Sequence, residues 1–355
     1  MTLTEFANQM RTAAKFALLV ILIFGSLVFV TFIVILGLQR NSPTVANLNL
    51  KPSFGKITSP LFELASTSLT AKYVLDTIDG ELPQTTASAN VYYIPENKAT
   101  LAYLRFKQTL AEGYKFNAQI TDVPLNNSWT RFEDENKVLD VDTKNQHYKF
   151  KYKSGEMLQD LVEATPEAKF TLLEDYFLNA AKNELQRNNS YPTHLAAGKT
   201  NIVYVAYDLS RQEFVPVDNG QMPQAVRVDF FRKEDDLTIV SPNYFGSQNY
   251  VVLAPLGKFP EVVEAQFTSF EKLETEPGVY PLISSKTAWE KLKKGEAQTI
   301  SISDSTIKEV HVKDIFLAYY DPSEYQEYFQ PIYVFLGDNN YVGYLPAVDN
   351  NYPAQ

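Results

Sequence analysis

The spacing of apolar and polar positions changes character several times along the chain, and the first change is the largest. Residues 16–38 carry no charge and are mainly Val, Ile, Leu and Phe, with Arg11 and Lys15 before them and Arg40 after. At 1.5 Å per residue a helix of this length spans ~34 Å, against about 30 Å of bilayer hydrocarbon. A secretory signal has an apolar stretch of only about 7 to 15 residues and a small-x-small cleavage site. This run is longer and ends Gly37-Leu38-Gln39-Arg40. The pattern therefore predicts an uncleaved transmembrane helix over 16–38, a cytoplasmic tail over 1–15, and an extracytoplasmic remainder. Residues 39–68, rich in Asn, Ser and Pro without periodicity, read as a linker.

After the linker the period alternates between helical and extended. A helix is predicted over 97–112, with Ala99, Ala102, Tyr103, Phe106 and Leu110 on one face and Gly113 placed to end it. A second begins with Thr165 as cap and Pro166 in its first turn, turning Phe170, Leu173, Phe177 and Ala180 inward to about Leu185. A third, capped by Ser284 or Ser285, presents Ala288, Trp289 and Leu292 and stops at Gly295. Around each lie segments of period two, such as KVLDVD, HYKFKY, NIVYVAY, AVRVDFF, NYVVLA and PIYVFLG. Asp338-Asn339-Asn340 suits the positive φ of a tight hairpin, and Glu234-Asp235-Asp236 reads as the turn of an AVRVDFF/LTIV hairpin. The predicted fold is α+β: one N-terminal transmembrane helix, then three helix-plus-antiparallel-sheet modules at 69–160, 161–258 and 259–355.

Composition narrows the chemistry. Aromatic residues make up 13% of the 355, enough for substantial cores, and the absence of cysteine removes disulfides, thiolate nucleophiles and Cys-based zinc sites. With 42 acidic against 32 basic residues the formal charge is −10, which disfavours nucleic acid as a partner. His147, His194 and His311 are far apart and lack metal-ligand spacing. There is no P-loop, dinucleotide fingerprint or nucleophile elbow. Glu133-Asp134-Glu135 and Asp140-x-Asp142 are the densest carboxylate groups, but an EF-hand beginning at Asp140 would place Asn145 and Lys151 where Gly and Glu belong. The expectation is no cofactor, no metal, no nucleotide and no catalytic residues.

Ala288, Trp289, Leu292 and Gly295, followed by Ile315, Leu317 and Tyr319 and then Gln330, Pro331, Tyr333 and Phe335, resemble the extracytoplasmic regulators of the YycH/YycI type and the smaller PepSY domains. The likeness covers about 280–348. PSFGKI, YVLDTIDGELP and VYYIP also look like the start of uncharacterised single-anchor proteins of small-genome bacteria. The resemblance implies a non-catalytic, membrane-anchored protein that binds and modulates an envelope protein partner. Two alternatives stand beside it: a carboxylate-dependent enzyme acting on envelope polysaccharide, and a structural assembly subunit. For partner contact the candidates are Tyr325 and Tyr328, which lie in a segment read as a loop because it contains Asp321-Pro322, and Trp289, whose bland alternative is a core indole. Within the predicted membrane helix, Gly25 and Ser26 form the small-residue point where another helix can approach.

Overall fold

A computed structural model describes residues 50–63, 69, 71–98, 101–117, 122–126, 128–153, 174–217, 222–233, 237–255, 259–273 and 275–351. The predicted tail, membrane helix and most of the linker lie outside these, and with them Gly25 and Ser26. Among the described residues no helix is long and apolar enough to cross a membrane.

Period-two alternation builds most of the structure. Numbered in chain order, β3 (Val123–Pro124), β4 (Trp129–Glu133), β5 (Lys137–Asp142), β6 (His147–Tyr152), β12 (Glu261–Phe267), β11 (Tyr250–Ala254), β9 (Ala225–Phe230), β7 (Thr200–Asp208) and β8 (Glu213–Pro216) lie side by side in that order. Every neighbouring pair is antiparallel. One face is apolar: Leu139 and Val141, Tyr148 and Phe150, Val226, Val228 and Phe230, Val251 and Leu253, Ala265 and Phe267 share one core. Helix α1 (Leu101–Gly113) lays Leu110 and Ala111 on it, α2 (Glu174–Arg187) adds Phe177, Ala181 and Leu185 at four-residue spacing, and α3 (Thr193–Ala196) adds Leu195. Each large aliphatic or aromatic side chain so covered contributes about 1.5–3 kcal/mol.

A second, six-stranded sheet is organised on the twelve-residue strand β15 (Glu309–Tyr320). On one side β15 pairs with β17 (Pro331–Gly337), followed by β18 (Val342–Pro346) and β14 (Gln298–Ser301). On its other side β1 (Lys72–Leu75) runs parallel to its beginning and β10 (Thr238–Val240) parallel to its end. Helix α4 (Ser285–Lys293) packs Ala288, Trp289 and Leu292 against Ile315, Leu317, Tyr333 and Phe335. Ser284 caps this helix by accepting from Thr287 N at 3.1 Å, and Gly295 leaves it at φ 77°. A small antiparallel sheet, β13 (Gly278–Pro281), β2 (Ser88–Tyr93) and β16 (Tyr328–Phe329), completes the set.

This architecture corrects the predicted α+β repeat. Among the described residues eighteen strands stand against four helices, and from Leu50 the chain forms one compact unit rather than successive helix-plus-sheet modules. Strand β12, from the third predicted module, sits between β6 of the first and β11 of the second. Strands β1 and β2 of the first pair with β15, β13 and β16 of the third. The predicted AVRVDFF/LTIV hairpin is absent as well: β9 belongs to the nine-stranded sheet and β10 to the six-stranded one. An alternating strand declares which face is buried but not which backbone will satisfy its N–H and C=O groups. The membrane anchor is not part of the described architecture, and the structure is mostly β.

Candidate functional site

Strand β15 ends at Tyr320, and Asp321-Pro322 opens a loop that runs to β16. Proline has no N–H to continue the ladder, so the segment must find other partners. It finds several. The Asp321 carboxylate accepts from Arg232 Nη1 at 3.0 Å, and the same nitrogen donates to Phe270 O at 3.2 Å. Gln248 Nε2 donates to the carbonyls of Asp321 and Pro322 at 3.0 and 3.1 Å. The Glu63 carboxylate accepts from the N–H groups of Ser323 and Glu324 at 2.9 and 3.0 Å, and from the Ser323 hydroxyl. Gln326 exchanges two bonds with the Leu61 backbone, and the Tyr325 hydroxyl donates to Ile94 O at 2.9 Å. An irregular loop is thereby fixed at nearly every residue while Tyr325 remains 37% exposed.

Beside Tyr325 lies a recess of about 140 Å³. Its aromatic walls are Tyr325, Phe270 and Trp129, the last standing at the start of β4. Phe270 meets the His147 ring edge-on at 4.6 Å and the Tyr325 ring at 6.1 Å. The β5–β6 turn supplies the polar wall. Asp142 accepts from Lys144 N at 2.9 Å and from Asn145 Nδ2 at 2.7 Å, shaping a turn in which Gln146 takes φ 62°. His147, at the start of β6, sets Nε2 against the Ser269 backbone, 3.1 Å from N and 3.0 Å from O. Burial pushes its pKa below 6.5, opposed by the Ser269 bond and by Asp142. The imidazole is therefore neutral at pH 7. Glu96, on the rim, pairs with Lys144, whose hydrogen bond and charge lower the carboxyl pKa.

Of the three described residues picked from sequence for partner contact, only Tyr325 lines this recess. Tyr328 sits in β16 opposite Tyr93 and packs its ring against Phe54 at 5.6 Å, half-buried beside the core under α4. Trp289 is 8% exposed and packs in that core. The recess also uses Trp129, Asp142 and His147, none of which sequence reasoning joined to Tyr325. One weak signal was present: Trp129 is one of only two tryptophans.

Four carboxylates elsewhere, two in a larger cleft and two in the sheet, already have partners. A larger cleft of about 480 Å³, where α1 and α2 end, is lined by Glu184 and Glu261. Glu184 accepts from Arg187 at 2.6 Å and Asn188 at 2.9 Å, and Glu261 from the Tyr152 hydroxyl at 3.1 Å. Burial raises the pKa of Asp229 and Glu264, but both lie on the face of the nine-stranded sheet away from the helices and line neither cavity. Arg227 joins them, bonding Asp229 at 2.9 Å and stacking 3.7 Å from the Tyr250 ring, whose hydroxyl donates to Glu264. Among the described residues no group of three His, Asp or Glu is placed to hold a metal.

No protein-family model matches the chain, and no curated protein does. Among solved structures, an uncharacterised protein from Eubacterium rectale ATCC 33656, solved at 1.45 Å, aligns over 80% of this chain and 88% of its own. Its identity is 12% and its TM-score 0.32, a likeness too slight to carry an argument.

Proposed function

We propose that the chain is a non-catalytic binding protein that recognises a protein partner of the cell envelope through the 321–327 loop and the recess beside it. The observation that supports this most is the fixation of the loop by Glu63, Arg232, Gln248 and Gln326 while Tyr325 stays exposed. A loop already held in one conformation loses little entropy on binding. Tyrosine and tryptophan are the side chains that most often dominate interface energy, because each offers a large apolar face with a polar tip. The resemblance of 280–348 to YycI-type regulators, which act by contact, supports the same reading. The envelope as compartment rests on the sequence of residues 16–38 alone.

The test is a photocrosslinking amino acid placed at position 325 of the full chain in cells. Leu209, 57% exposed at the end of β7, is the control position. A discrete adduct from 325 and none from 209, identified by mass spectrometry, is the expected result. Equal background from both positions removes the proposal.

A further inference from the structure

Asp142 is 3% exposed, yet every hydrogen bond it accepts comes from a neutral donor: the N–H groups of Lys144 and Asn145 and the Asn145 side-chain amide. Among the described residues no cation lies within salt-bridge distance of it. A buried carboxylate without a counter-charge is costly, and the cost falls when a cation enters the same low-dielectric space. Asp142 lines the recess, so that space is open from outside. Other groups there agree. Glu324 is exposed on the rim, and Glu96 answers the one lysine of the lining, Lys144. His147, neutral at pH 7, adds no repulsion. Trp129, Phe270 and Tyr325 line the same space, and an aromatic face attracts a desolvated cation. Trp129 already carries one such contact, from Lys149 at 5.7 Å.

Size limits the guest. At about 140 Å³ the recess falls below the 300–1,000 Å³ typical of pockets that enclose whole ligands. It fits the end of one side chain. A phosphate or carboxylate would meet Asp142, Glu96 and Glu324 as like charges.

We infer that the recess takes the cationic side chain, lysine or arginine, of the partner that the 321–327 loop recognises, with Asp142 as its counter-ion. This rests on the binding role proposed above and supplies its specificity.

The test uses the full chain in detergent micelles with 5-fluorotryptophan at Trp129 and Trp289, the only two tryptophans. Loss of one fluorine signal in Trp129→Phe assigns the other. Nα-acetyl-lysine N-methylamide is expected to shift the Trp129 signal saturably and leave Trp289 unmoved. The norleucine analogue, with the same four side-chain carbons and no ammonium, is expected to leave both unmoved. Asp142→Asn should weaken lysine binding at least tenfold. Because that change also touches the turn, Glu324→Gln on the exposed rim is the second variant, with about a threefold loss. No saturation, or an equal response to norleucine, overturns the inference. If the lysine probe fails while position 325 still crosslinks to a protein, the recognition loop stands and the cationic guest does not. If the probe binds and no crosslink forms, the protein partner is lost and the cation site stands.

Discussion

Arg232 Nη1 donates to Asp321 Oδ1 across 3.0 Å with 3% and 4% of the two side chains exposed, so a buried ion pair ties the end of β9 to the loop that carries Tyr325. Removing one member deprives the other of this buried counter-charge. Asp321→Ala is expected to cost about 3–5 kcal/mol, while the double change Arg232→Met with Asp321→Leu recovers most of it. Urea unfolding of the parent, Asp321→Ala and the double change reads this directly. A loss below about 1 kcal/mol for Asp321→Ala would show that the pair does not hold the loop.

Tyr325 and Trp289 separate recognition from packing. Trp289→Ala empties a filled core position and is expected to cost about 3–5 kcal/mol, leaving crosslinks from position 325 unchanged in the folded fraction. Tyr325→Phe loses only the bond to Ile94 O, about 0.5–1.5 kcal/mol. Tyr325→Ala is expected to abolish partner capture in a pull-down with the full chain, at a stability cost well below that of Trp289→Ala.

Acid should destabilise the fold through His147. Its folded pKa lies below 6.5, chiefly by burial, so between the two values the unfolded chain binds more protons than the native one. Stability therefore rises with pH across that interval, is complete above it, and is lost as pH falls through it. Urea midpoints measured from pH 7.5 downward should fall more steeply for the native sequence than for His147→Gln. Parallel curves would show that His147 is not the group responsible.

Glu264 runs the other way. Burial raises its pKa above 4.5, so the native state holds the proton longer and this contribution to stability is lost as pH rises through the raised value. A glutamine keeps an oxygen for the Tyr250 hydroxyl and carries no charge. Glu264→Gln is expected to gain stability relative to the parent as pH rises from about 4.5 to 7. A constant difference across that range, followed by thermal melts, would refute the assignment.

Local chemistry made α4 readable from sequence. The Ser284 cap, the inward Ala288, Trp289 and Leu292, and Gly295 at φ 77° all depend on neighbours within a few residues. The β17–β18 hairpin is of the same kind, with Asn339 and Asn340 at φ 53° and 55°. The AVRVDFF/LTIV pair marks the limit. Both strands exist, but Thr238, Ile239 and Val240 take their partners from Ala318, Tyr319 and Tyr320 in another sheet. Nothing within β10 itself names that strand.

By itself, the sequence determined where most of the longer strands fall, where α4 is capped and which of its faces is apolar, because backbone dihedrals and side-chain period are set by adjacent residues. Only the tertiary structure decided that β12 would join β6 to β11, that Trp289 would be core, and that Trp129, Asp142, His147 and Tyr325 would line one recess. Period two is the same for every strand, so pairing is selected by the fit of whole faces across the fold. The 321–327 loop shows this most directly. Its own residues supply a proline and an exposed tyrosine, and its fixed shape comes from Glu63, Arg232 and Gln248, all distant in sequence.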